Sequence, residues 1–501
     1  MKIRNVLKWG LAAWLCAVGV LSLQAQNITK PKIACPNGLW VNSYNGVLFF
    51  TRIDAEMKNT VLPISLQFYY NSSYKDRNYG YGLGFSMGEE MRYALSLSGD
   101  SVTIERGDGR SDLYLKKDQG YEAPTGVFDR LTQQGEGQFV LTMKDGTIYR
   151  FENAEHKRVT KIENRSGLVT TLQYQPDGLL TGVSDNAGRS LALTYTDGLL
   201  TKATGSFIQG EISYQYDSRK RLTKVTDPMG YARFYGYDKQ DQLASVTDPM
   251  GNVTEIGYTQ QGAVYRVKTA VSDKVIRYEV ANKRTVIVDY TEPAAQFSYY
   301  VWDDKGRVIE KSGLCCGIQE KLVYDEDDNV TQRTDANGNV RTFTYDSNGN
   351  MLTATDPEGY TETYTYEPAF NQVASYRDKN GNDYSFSYDD SGNLTEISGP
   401  EGFTNRYTYN AMGAPLTITD ANGNVTQNEY DNRGLQISQT DAMGNIRKFA
   451  YDGSGNLISS TDARLFVTRY TYNRRNELVQ LTDALGGVLE LSYDRNGNVV
   501  R

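Results

Sequence analysis

The sequence contains a single histidine, His156, and only four cysteines and 12 prolines in 501 residues. So little histidine leaves few routes to nucleophilic catalysis or structural zinc, which draw on His or on paired Cys motifs. His156 itself sits in the polar stretch Asn153-Ala154-Glu155-His156-Lys157-Arg158, where a surface role is expected. Positive charge is also short. Lys and Arg number 53 against 61 Asp and Glu, a net charge of −8, which argues against a nucleic-acid partner.

Membrane-length apolar runs are missing as well. The one apolar stretch, Trp9 to Leu23, follows Lys2, Arg4 and Lys8 and precedes Ala25, the pattern of a cleavable signal peptide over residues 1–25. It is too short for a comfortable span and none follows it, so the mature chain is expected to be secreted or at the cell surface with no stable membrane span. Cleavage leaves Cys35, Cys315 and Cys316. The last two are neighbours in Gly313-Leu314-Cys315-Cys316-Gly317, where a vicinal disulfide and two reduced thiols are both open readings.

What is abundant is Tyr (38) and Gly (47), a composition that suits short strands and tight turns. Their spacing is regular. Tyr174, Tyr195, Tyr216, Tyr237 and Tyr258 stand 21 residues apart, and the register resumes at Tyr324, Tyr345 and Tyr366. It slips by one to Tyr388 and continues through Tyr409, Tyr430, Tyr451, Tyr472 and Tyr493. Four residues after the Tyr comes Gly349, Gly392, Gly413, Gly434 or Gly455, replaced elsewhere by Asp241, Asp328 or Asn476; these residue types tolerate a left-handed backbone. Ten residues further lies a second such place, as in Asp356-x-x-Gly359, Asp420-x-x-Gly423 and Asp441-x-x-Gly444, the signature of a turn capped by its own Asp.

Two turns per 21 residues imply two short strands per unit. The position two before the Tyr is apolar in Tyr214, Tyr235, Ile256, Phe343, Tyr364, Phe386, Tyr407, Phe449 and Tyr470, with Asn428 the exception, so one face is apolar. On the second strand Leu222 and Val225 recur three apart, which suggests a bulge. About 15 units give about 30 strands, a sheet of roughly 145 Å that must coil into a tube about 45 Å across. A propeller would need alternate units to differ. The Asp-Pro-Met-Gly turns at Asp227 and Asp248 fall in consecutive units, so a spiral is expected.

Units such as Tyr430-Asp431-Asn432-Arg433-Gly434-Leu435 followed by Thr440-Asp441-Ala442-Met443-Gly444-Asn445 resemble the YD repeats of RHS proteins. Gln67-Phe68-Tyr69-Tyr70-Asn71-Ser72, Gly107-Asp108-Gly109-Arg110, Gly126-Val127-Phe128-Asp129 and Lys144-Asp145-Gly146-Thr147 resemble that family's N-terminal module. The resemblance covers nearly all of the mature chain. It implies an all-β fold, a spiralling antiparallel hairpin sheet of the kind in bacterial RHS proteins, toxin-complex shells and teneurins. The expected division is a signal peptide (1–25), an N-terminal RHS-type β module (26–150) and a YD-repeat array (151–501). The family's autoproteolytic core-associated segment lies after the repeats, and the repeat register here runs up to Arg501.

Acidic pairs recur in almost every unit, whereas a catalytic pair would be singular, so no catalytic, cofactor-binding or metal-ligating residue is assigned and the chain is expected not to be an enzyme. Asp325-Glu326-Asp327-Asp328-Asn329 and Asp335-Ala336-Asn337-Gly338-Asn339 offer alternating oxygens but lack the twelfth-position Glu of an EF-hand loop, and a turn role is expected for both. The functional expectation is a scaffold forming part of a β-shell, the carrier portion of a polymorphic toxin system that encloses a polypeptide or a downstream toxin. The alternative is an adhesin binding a surface glycan; a glycoside hydrolase is a distant third.

Overall fold

The computed structural model describes residues 32–57, 64–88, 91–96, 99–118, 120–291, 294–313 and 319–500. The signal-peptide segment and the Cys315–Cys316 pair lie outside the described residues. Among those residues there is no α-helix, and all strand pairing is antiparallel. Cys35 is a free thiol that burial pushes up to about 11.

Most units carry two hairpin turns of one chemical design. In the first, the residue after the key Tyr accepts two backbone N–H groups through one carboxylate oxygen: Asp346 Oδ1 takes Asn348 N at 2.9 Å and Asn350 N at 2.8 Å. In the second, Asp356 Oδ1 takes Glu358 N at 3.1 Å and Tyr360 N at 2.9 Å. The side chain satisfies donors that the strands cannot reach. Each turn then needs one left-handed residue, supplied by Gly349 (φ 66°) and Gly359 (φ 88°), or elsewhere by Asp241 (φ 63°), Asp328 (φ 65°) and Asn476 (φ 58°).

Past the first turn the pairing shifts. Tyr216 faces Leu222 while Tyr214 faces Val225, so one extra residue bulges out and positions three apart share a face. The key hydroxyl then reaches back to the preceding unit. Tyr345 Oη donates to Val330 O at 2.8 Å, Tyr430 Oη to Pro415 O at 2.9 Å and Tyr493 Oη to Leu478 O at 2.7 Å, each bond spanning 15 residues.

These hairpins join into one ladder of 39 strands, running from Arg92–Leu95 to Val488–Glu490. Pairing crosses residue 150 without a break, because Ile148–Phe151 pairs with both its neighbours. It also runs through the stretch where the tyrosine register lapses, where Trp302 takes the key position, facing Val308 after a register shift. The ladder closes once, near its start. Tyr93 N donates to Lys157 O at 3.0 Å and Val159 N to Met91 O at 2.9 Å, curling the strands of 92–151 around Tyr93, Phe139 and Phe151.

Beyond that point the wall coils onto itself. Asn371 Nδ2 donates to Lys144 O (3.2 Å), Asn476 Nδ2 to Phe207 O (3.1 Å) and Asn496 Nδ2 to Asp248 Oδ2 (2.7 Å), partners 227, 269 and 248 residues apart. One circuit thus takes about a dozen units. A first tier (92–302) carries a second (308–500), with turn tips of the second resting on loops of the first.

A separate sheet of β1 (Lys32–Ala34), β2 (Leu39–Asn42), β3 (Leu48–Glu56), β4 (Ser65–Asn71) and β5 (Phe85–Met87), ordered as in the chain, lies against the first tier. Gly80 O accepts from Leu200 N (2.7 Å), Tyr70 Oη from Leu243 N (2.9 Å) and Gly46 O from Val264 N (2.9 Å), while Tyr44 packs on Trp302 at 5.1 Å. So small a sheet can touch wall positions this far apart only if the wall curves round it. The face bearing the key tyrosines is therefore the concave inside.

Candidate functional site

The inner wall carries the aromatic rows of the repeats, and its two tiers present them differently. In the first, Tyr214 and Tyr235 are buried beneath Phe50, Phe68 and Phe85 of the covering sheet, and Ile256 is buried too. Arg52 of β3 lies at the centre, its guanidinium 4.7 to 5.8 Å from the ring centroids of Phe68, Phe85, Tyr214 and Tyr235. Asp54 Oδ1 accepts from Arg52 Nε at 2.7 Å and Asp54 Oδ2 from Tyr214 Oη at 2.8 Å. Burial opposes the Arg52 charge, but Asp54 and the two tyrosines more than offset it and raise its pKa. Burial likewise drives the phenols of Tyr214, Tyr237 and Tyr258 well above their ordinary value.

The second tier carries the same pattern without the cover. Phe343, Met351 and Ala354 form a small buried cluster, while Tyr364, Phe386, Tyr407, Phe449 and Tyr470 are half-buried. Tyr364, Tyr376 and Tyr384 stack in a row with centroids 5.0 and 5.8 Å apart. Tyr376 Oη donates to Glu362 Oε1 at 2.8 Å, and Glu362 also receives Arg341 Nη2 at 2.9 Å. Burial pushes Tyr345 and Tyr364 up to about 12.

The repeat positions singled out from sequence fall into three rows and do not converge on one point. Tyr345, Tyr388, Tyr409, Tyr430 and Tyr451 line the inside, each donating to a carbonyl at 2.7 to 2.9 Å. Gly349, Gly392, Gly413, Gly434 and Gly455 sit in the first turns, on the edge facing the tier below. Asp356, Asp420 and Asp441, with Gly359, Gly423 and Gly444, form the second turns on the opposite edge. Each of these Asp residues accepts two backbone N–H groups through one oxygen. Asp325 and Asp335 do the same work: Asn329 N reaches Asp325 Oδ1 at 2.8 Å and Asn339 N reaches Asp335 Oδ1 at 2.9 Å. Asn428, the polar exception on the inner face, donates to Pro415 O (3.0 Å) and accepts from Gln436 Nε2 (2.7 Å) and Gln439 Nε2 (3.2 Å), so its burial leaves neither end of the amide unmet.

Sequence reasoning missed the residues of the seam between tiers, although a signal was present. The one-residue slip between Tyr366 and Tyr388 is a longer turn, closed by Glu367 N to Gln372 O at 2.9 Å. It presents Phe370 against Gly146 of the first tier, with Arg165 stacked at 5.6 Å. Arg52 and Asp54 gave no signal, since the covering sheet has no repeat to break.

Comparison with known proteins agrees with this geometry. Residues 324–361, 345–383, 388–425 and 430–465 match the RHS Repeat family, and 38–114 match a domain of unknown function, DUF6531. No curated protein matches the chain in sequence. The Tc holotoxin pore of Photorhabdus luminescens superposes on 91% of this chain with a TM-score of 0.54 at 12% identity. A TcdB2-TccC3-Cdc42 crystal structure covers 98% with the same TM-score and identity. This chain spans 27% and 29% of those two chains. At such identity the likeness is one of fold, and the fold is a spiral β-shell wall. The matched stretches between residues 324 and 465 are thus RHS repeats, carried on a fold related in architecture to toxin-complex shells.

Proposed function

We propose that the chain is a non-catalytic wall segment of an exported shell that encloses a polypeptide, the carrier part of a toxin system. The observation that carries this is the uncovered inner face of the second tier. Its residue pattern is the one that, in the first tier, binds a five-stranded sheet of the same chain. A face that already holds polypeptide in one circuit is chemically suited to hold it in the next. The likeness to a holotoxin pore supports the carrier reading, and Lys2 to Ala25 supports export. The non-catalytic reading rests on the repeat-wide use of Asp in turns. The division at residues 25 and 150 belongs to the same reading.

The test uses reduced, carboxymethylated α-lactalbumin, a permanently unfolded polypeptide, as the guest. We expect it to bind and to gain protection from trypsin, and we expect Tyr364→Ser with Tyr376→Ser to weaken both. Failure of the guest to bind, or binding of glycans on an array with none of the guest, would overturn the reading in favour of an adhesin.

A further inference from the structure

Where the second tier rests on the first, the tips leave a cavity of about 620 Å³. It is bounded by second-tier tips 454–457, 474–476 and 495–496, by first-tier loops 207–208 and 227–228, and by the end of β3. Its volume falls within the range of small-ligand sites, roughly 300–1,000 Å³. Five arginines line it against three carboxylates, in a chain whose net charge is −8.

Most of the acidic groups are already engaged. Arg52 holds Asp54 at 2.7 Å, and Arg475 holds Glu477 at 2.7 Å and faces Asp227 at 3.5 Å. Asp227 accepts the N–H groups of Met229 and Tyr231, both at 2.9 Å, and burial raises its carboxyl above the ordinary value. Glu56, the remaining lining carboxylate, is exposed. Among the described residues, Arg233, Arg474 and Arg495 have no carboxylate within ion-pair distance. Arg233 belongs to the first tier, on the inner face opposite Val225, and the other two belong to the second. Tyr231 and Tyr472 add ring surface, with the Arg475 guanidinium 5.8 Å from the Tyr231 centroid.

We propose that this cavity binds a multivalent oxyanion, carrying carboxylate or phosphate groups, that braces the two tiers. Guanidinium forks match both groups in bidentate geometry, and a cleft lined by one sign of charge concentrates the opposite ion. Nearby, the tiers meet through a few polar contacts: Asn476 donates to Phe207 O and accepts from Gln209 Nε2, Asn496 donates to Asp248, and Arg475 faces Asp227. An anion gripped from both sides adds a removable cross-tie to that joint, and its loss loosens the tips around it.

Calorimetry on the full chain at low salt tests this with inositol hexakisphosphate, citrate and, as a neutral control, maltose. At least one anion is expected to bind, maltose is not, and hydrogen exchange at 454–457 and 474–476 should slow in the bound state. Arg233→Gln, Arg474→Gln and Arg495→Gln combined should weaken binding tenfold or more. A charge-matched control at the exposed Lys239, Lys268 and Arg277, each changed to Gln, should keep wild-type affinity. Response to one anion alone identifies the group recognised. The proposal is overturned if neither anion binds, or if the cavity triple and the control lose affinity equally.

Discussion

In the first tier Tyr214 and Tyr235 lie under Phe50, Phe68 and Phe85; in the second, Tyr364 and Tyr470 hold the equivalent places and remain half-exposed. The hairpins beneath are alike, with Asp-capped turns and bulges in both tiers, and Tyr237 and Tyr366 make the same hydroxyl-to-carbonyl bond. Covering by the five-stranded sheet accounts for the contrast in burial. The second tier forms its ladder without that cover, so backbone satisfaction and turn geometry shape the wall. The buried inner face adds stability to the first tier on top of that.

The broadest way to sharpen this contrast is alkaline titration, which acts on every unit at once. The tyrosines that burial shifts, among them Tyr214, Tyr237 and Tyr258 in the first tier and Tyr345 and Tyr364 in the second, hold their protons more tightly than the unfolded chain, whose phenols titrate near pH 10. Stability from these groups is therefore complete below about pH 10 and falls as pH rises toward 12. We expect Tyr345 and Tyr364 to ionise at about 12 in the folded state, and Tyr214, Tyr237 and Tyr258 only as the first tier unfolds. Ultraviolet titration should show two steps, and one step near the free phenol value would erase the distinction between tiers.

Arg52→Ala attacks the cover alone. It leaves Asp54 buried without its cation, a loss of about 3–5 kcal/mol by the usual cost of breaking a buried pair. Urea unfolding followed by hydrogen exchange should show the first tier weakened with the second-tier turns beyond the seam unchanged; equal loss in both would mean that the cover stabilises the whole wall.

Two glycines separate turn strain from tier contact. Gly434 has φ 82° and room for a side chain, so Gly434→Ala should cost about 1 kcal/mol from the left-handed backbone. Gly434→Val should cost more, about 1–3 kcal/mol, because a β-branched residue resists that region further. At Gly349 a new Cβ would also collide with the Phe128 ring of the tier below. Gly349→Ala should therefore exceed Gly434→Ala in thermal unfolding, and equal effects would show that the seam carries no strain.

The smallest expected effect is Tyr430→Phe, which removes one hydroxyl bond to Pro415 O and should cost about 0.5–1.5 kcal/mol. Tyr258→Phe, which frees the carbonyl of the buried Leu243, should cost more in the same denaturant assay.

Much of the wall could be read in the sequence because its determinants are local. A left-handed residue four after Tyr and an Asp three before Gly are short-range demands, repeated often enough to stand out. The bulge was legible from Leu222 and Val225. The circuit length was not, since it depends on how much twist each hairpin adds, and no single residue encodes that. Nor was Arg52, whose partners Tyr214 and Tyr235 lie more than 150 residues away. Trp302 was hidden because a different aromatic holds the tyrosine's place in the register.

The seam gives the spiral the property of meshed gears. Particular second-tier tips engage particular gaps below, Asn371 at Lys144 and Asn496 at Asp248. Deleting one whole repeat from the first tier would leave every hairpin intact but advance all later teeth by one position, setting Phe370 and the arginines of the cavity against the wrong partners. Gain or loss of repeats within a circuit is thus constrained by the circumference of the wall, even where the local chemistry of each repeat would tolerate it.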